Sequence, residues 1–233
     1  MTIKDMHYDF KKKLNKIDSQ QNRNLLIPEI DWTLNEAIEL FRKFIANPRS
    51  KSNLGFEINQ RSIDDIRTLV VNDAVITVTS NLATLPTDYV HYIKGWVSVD
   101  KSNCVNVKCK LKIRQHDDDF ESNSFYNSSF EWRNVNGVFT QNTIKLYDDG
   151  TFTNKTLHLD YIKKHPYVHN AEDFRGGTYK LPSGTILTLT QDCILPEQTH
   201  REIVDIAVMI ASGEINTSDY QIKEQKVNYN QQK

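Results

Sequence analysis

The stretch VNVKCKLKIR, residues 105–114, decides how the middle of this chain reads. Val105, Val107, Cys109, Leu111 and Ile113 alternate with Lys108, Lys110, Lys112 and Arg114. A period of two is what a β-strand shows when one face is buried and the other meets water. Downstream, FTNKTLHLDYI (152–162) repeats the pattern, with Leu157, Leu159 and Tyr161 on one side. Upstream, TLVV (68–71) and AVITVT (74–79) flank Asn72-Asp73 and read as a hairpin, and LPTDYVHYIKGWVSV (85–99) gives a turn and then a strand. Asn136-Gly137 and Asp148-Asp149-Gly150 carry strong hairpin-turn signals. Taken together, about six to eight strands joined by short turns predict an antiparallel sandwich or barrel. HDDDFESNSFYNSSFEW (116–132) interrupts them as a long loop, acidic from Asp117 to Glu121.

Outside this region the period lengthens. Thr2 and Asp5 form a capping box, followed by a stripe of Ile3, Met6, Phe10, Leu14 and Ile17. Lys11, Lys12, Lys13 and Lys16 lie mostly off the stripe and read as a solvated face. Pro28 suits a helix start, Ile30, Leu34, Ala37, Ile38, Phe41 and Ile45 keep helical spacing, and Asn47-Pro48 stops them. Trp32 falls off that stripe, at a core edge or against a neighbouring subunit. Ser62 and Asp65 make a second capping box over SIDDIRTL (62–69). A last helix comes after Pro196, with Ile203, Ile206, Ala207, Ile210 and Ala211 as its stripe and Gly213 as its C-cap. The expected fold is therefore α+β. Helices over 1–67 and 196–213 form a bundle, an antiparallel β domain is inserted over 68–195, and 214–233 is a polar arm. The arm's spaced apolar residues, Tyr220, Ile222, Val227 and Tyr229, suit contact with a partner.

Composition narrows the function. A net charge of -1 does not give the basic field that non-specific DNA binding needs as a main activity. No segment reaches the roughly 18 consecutive apolar residues of a membrane span, and the N-terminus lacks the apolar run of a secretory signal. Cys104, Cys109 and Cys193, odd in number and without a CxxC pair, fit a reducing cytoplasm. His158-x-Asp160 with His165 and His169 lacks zinc-ligand spacing, and the alternation of Asp117, Asp119, Glu121 and Asn123 lacks the glycine and the final acid of a calcium loop. Gly176-Gly177 is followed by no GK[ST], and neither Ser62 nor Ser183 sits in a Gly-x-Ser-x-Gly elbow. The expectation is a protein without enzymatic activity, metal or cofactor.

Three stretches, read in order, carry a resemblance: EIDWTLNEAIELF (29–41), LPTDYV (85–90), and LHLDYIKKHPYV, YKLP and HREIVDIAVMIA between 157 and 211. Their succession resembles the head-to-tail connector adaptors of short-tailed bacteriophages, also called ring or tail-tube adaptor proteins, and most of all the ring proteins of crAss-like phages. The resemblance implies a virion protein made in the host cytoplasm and built into a homo-oligomeric ring, commonly dodecameric. Such a ring docks beneath the portal protein and joins it to adjacent tail or ring proteins. It implies no enzymatic activity and a central channel that passes DNA without specific binding. The arm residues Tyr220, Ile222, Val227 and Tyr229 would then touch the portal or a neighbour. Lys108, Lys110, Lys112 and Arg114 are the candidates for a face toward the channel, against the plainer reading of a solvated or edge-guarding row. A glycan-binding or adhesive β-module is the alternative, with Trp96, Trp132 and the tyrosines stacking on sugars.

Overall fold

The computed structural model describes residues 1–15, 25–46, 64–114 and 127–215. They form two compact units, one taking Met1–Leu69 with His165–Lys233 and the other Val70–Lys164. The class is α+β, with the long helices in the first unit and a closed barrel in the second.

The barrel is built from β1 (Val70–Thr79), β2 (Leu82–Thr84), β3 (Tyr89–Lys101), β4 (Cys104–Arg114), β5 (Asn134–Thr140), β6 (Thr143–Tyr147) and β7 (Thr153–Lys163). Their order is β1-β2-β6-β5-β4-β3-β7, with β7 closing onto β1. A barrel this small is filled by its own side chains; Val97, Cys109, Leu111, Ile144, Leu157 and Leu159 point into it and are buried. The alternation in β4 holds at its centre, where Cys109 and Leu111 are buried and Lys108, Lys110 and Lys112 are exposed. Val105, expected inside, is 64% exposed at the strand's start.

Three strand readings are corrected. β4 and β5 pair in parallel, not antiparallel, because the long connection between them crosses over instead of turning back. Asn72-Asp73 is not a hairpin: β1 runs through it with a bulge between Val71 and Ala74, where Asp73 takes φ 54°. Asn136-Gly137 lies in the middle of β5. That position is constrained by space, since a Cβ on Gly137 would stand 2.9 Å from Leu111 Cδ1 and 3.2 Å from Ile144 Cγ2. The Asp148-Asp149-Gly150 turn is real, held by Asp148 Oδ1 on the Gly150 amide at 3.0 Å, but it joins β6 to β7, which do not pair. The tight hairpin is at Ser80-Asn81, whose φ values of 50° and 61° suit a type I′ turn without glycine.

In the other unit, α1 (Ile3–Asn15) starts on the predicted capping box: the Thr2 amide donates to Asp5 Oδ2 at 2.9 Å and the Asp5 amide to Thr2 Oγ1 at 3.3 Å. Ile3, Met6, Phe10 and Leu14 are buried as the spacing requires. In α2 (Ile27–Ala46), Pro28 occupies the first turn, Glu29 accepts from the Leu26 amide at 2.7 Å, and Ile30, Leu34, Ala37, Ile38 and Phe41 are buried. Trp32 is 54% exposed. The closing helix, α3 (Glu197–Ile215), packs against α1 and α2. It runs through Gly213, which therefore is not its C-cap; a glycine inside a helix costs only about 1 kcal/mol. Ser62 lies outside the described residues, while its expected partner Asp65 accepts from Gln198 Nε2 at 2.8 Å. Among the described residues no helix is long and apolar enough to cross a membrane.

The β region read from 68 to 195 ends sooner, at Lys164. Beyond Lys164 the chain forms β8 (His169–Asn170), β9 (Thr178–Lys180), β10 (Ile186–Thr188) and β11 (Thr190–Gln191), paired as β8–β11 and β9–β10. Two polar residues of α2 draw this segment into the helical unit. Asn35 brackets the Val168 peptide, donating to its carbonyl at 2.7 Å and accepting from its amide at 2.9 Å. Asp31, fully buried, accepts from Tyr179 Oη at 2.7 Å and the Asn170 amide at 3.1 Å, and lies 2.7 Å from His7 Nε2 of α1. A buried carboxylate is tolerable only with such a complete set of donors. Burial and the Asp31 charge together push the Tyr179 hydroxyl well above the ordinary tyrosine range, so it remains a donor.

Candidate functional site: a cationic and aromatic face of the barrel

The bulge in β1 has a chemical consequence. It turns the Asp73 amide onto Asp160 Oδ1 at 2.7 Å and sets the Asp73 carboxylate 2.8 Å from His158 Nδ1. His158 in β7 is the cross-strand partner of Trp96 in β3, and their rings stack with centroids 3.6 Å apart and planes 11° from parallel. From β4, on the other side of β3, Lys108 Nζ lies 4.4 Å from the Trp96 ring centroid. An ammonium at that distance cannot share the face that the imidazole covers, so the indole is held between the two. The Nδ1–H of His158 faces a carboxylate, which orients the ring for the stack.

Around this stack lies an open depression of about 730 Å³, lined by Lys94, Lys108, Lys110 and Arg133 together with Asn72, Asp73 and Asp160. Lys94 is paired with Asp160 at 3.3 Å. Lys110, the other cross-strand partner of Trp96, and Arg133, whose carbonyl accepts the Lys110 amide at 2.7 Å, form no ion pair with another described residue. Four cations thus face two carboxylates. Lys112 continues the row one alternation further along β4. Such a surface offers charge to phosphate or carboxylate oxygens without a pocket that would select one ligand shape.

Of the residues singled out in the sequence, Lys108 and Lys110 meet here, and Lys112 extends the face. Arg114 does not join it, being half-buried and already engaged at the strand end. Tyr220, Ile222, Val227 and Tyr229 lie outside the described residues, as does the acidic stretch Asp117–Glu121. His158 is separated from His165 and His169, which belong to the helical unit, where His165 Nε2 accepts the Ile194 amide at 3.2 Å. No group of three metal-binding side chains forms among the described residues. Burial pushes the Cys109 thiol up and the Cys193 thiol up to about 11, so both act as apolar wall residues. Sequence reading missed Trp96 as part of the face, together with Asp73, Lys94 and Arg133. The only local hint was Asp160, two residues from His158 and hence on the same side of β7.

The chain matches no family model and no curated protein sequence.

Proposed function

We propose that this chain is a structural protein of a short-tailed phage neck, one of the interlocked copies of a ring that joins the portal to the tail and lets DNA pass. In this reading the helices of both chain ends bundle into the body of the ring, and the barrel presents its cationic face to the channel. The observation that carries it is the row Lys108, Lys110 and Lys112 with Arg133, cations held on a rigid closed sheet and largely without carboxylate partners. Fixed charge of this kind acts on phosphates whatever the base sequence, which suits passage and not capture. The order of sequence motifs supports the same reading, as does the gathering of helices from both ends of the chain into one unit. The arm would reach the portal or a neighbouring copy through Tyr220, Ile222, Val227 and Tyr229.

The test is assembly. Mass photometry and negative-stain microscopy of the chain, alone and with a portal protein, should show closed rings with a central opening. Duplex DNA binding should be weak and salt-dependent. Removing Lys110, Lys112 and Arg133 together should flatten the log–log salt dependence by about 0.9 for each phosphate no longer neutralised. A chain that stays monomeric in both settings overturns the proposal.

One observation favours the glycan-binding alternative: Trp132 is 82% exposed. Trp96 does not serve it, since both faces of that ring are occupied. Protection of Trp132 from quenching by a defined oligosaccharide would support this second reading.

A further inference from the structure

The helical unit holds a pocket of about 400 Å³. Pro28 and Trp32 from the start of α2, Tyr167, Tyr179 and Leu181 from the returning segment, and Ala211 from α3 line it. Glu29 and Lys180 add one charge of each sign. Its walls are held in place. The Tyr179 hydroxyl is anchored on buried Asp31, and the ring packs edge-on against Phe174 with centroids 5.8 Å apart. Preformed, mostly apolar and lined by Trp and Tyr, it has the make-up of an anchor site for one or two side chains.

The chain itself carries a fitting occupant. α3 ends at Ile215, one turn past Ala211, so the chain leaves the helix about 6 Å beyond a pocket wall. Residues 216–233 complete the sequence. Tyr220 is five residues past Ile215, a reach of up to about 17 Å when extended. Tyr220 and Ile222 are two apart, so in an extended segment they project to the same side. Asp219 and Glu224 match Lys180 in charge, and Lys223 matches Glu29.

We propose that residues 219–224 lie in this pocket of their own chain, with Tyr220 and Ile222 as the anchors. The tether favours this occupant over the same segment of a second copy. A short flexible linker holds its end at millimolar effective concentration, far above the micromolar concentration of free subunits. The inference stands whether or not the chain builds a ring. An arm held this way is withheld from other partners until it is displaced.

The test reads Trp32 in the full chain by acrylamide quenching, isolated as the difference between the wild type and Trp32→Phe. Ending the chain at Ile215 should raise the quenching constant of Trp32 at least about twofold by removing the group that excludes water from the indole. The double substitution Tyr220→Ala with Ile222→Ala should do the same in a chain of full length, and decides the matter if the shortened chain fails to fold. Protection should be independent of protein concentration. An unchanged quenching constant in the double variant overturns the proposal. Protection that grows with concentration also overturns it, since a second copy would then be the occupant.

Discussion

Replacing Asp31 with alanine tests the account of how the returning segment is fixed to the helices. The carboxylate meets three groups: His7 Nε2 at 2.7 Å, Tyr179 Oη at 2.7 Å and the Asn170 amide at 3.1 Å. Hydrogen bonds to a charged acceptor contribute about 1.5–3 kcal/mol each, and a buried donor left without a partner costs about 1–3 kcal/mol. The three share one acceptor, so their contributions do not add. Deleting one member of a buried charged network typically costs about 3–5 kcal/mol, and we expect about 4 here. With a urea m-value of about 2 kcal/mol per molar, the midpoint should fall by about 2 M. The assay follows Trp32, the one tryptophan of the helical unit, in a chain with Trp96→Phe and Trp132→Phe. Asp31→Asn serves as the control. Its carbonyl can keep Tyr179 and Asn170, and its amide can donate to His7 in the neutral tautomer with a bare Nε2, so it should cost about 1–2 kcal/mol. A loss below about 1 kcal/mol for Asp31→Ala would refute the reasoning, as would an asparagine variant as damaged as the alanine one.

Two further outcomes are expected. Gly137→Ala should destabilise the barrel by about 1–3 kcal/mol through overpacking against Leu111, Ile144 and Leu146. Trp96 emission during denaturation reads this, and Leu111→Val in the same chain should recover part of the loss; a neutral Gly137→Ala would show that the interior has room. Burial lowers the pKa of His169 from its ordinary 6.5, partly offset by the Asp31 charge, so the folded state favours the neutral ring. The unfolded chain then takes up a proton first as pH falls. The helical unit should therefore lose stability below about pH 6.5, levelling off once pH passes the lowered folded value. His169→Gln should flatten that window, and an unchanged slope in the variant would exclude His169 as its source.

Local periodicity fixed much of this protein. The capping box at Thr2 and Asp5, the stripes of α1 and α2, and the faces of β4 arise from residues three, four or two apart, and such spacings need no partner to be read. The candidate face was half legible for the same reason: alternation puts Lys108, Lys110 and Lys112 outside. Alternation tells a strand which face is inward and says nothing about which strand lies beside it. The parallel β4–β5 pair, the Trp96–His158 stack and the capture of 165–195 by Asp31 and Asn35 all join residues far apart in sequence. They exist only once the barrel closes and the helices bury two polar side chains that must find donors. Turn signals failed where tertiary needs overrode them. Asp73 serves a bulge, and the glycine at 137 is required by the space beside Leu111, not by a turn.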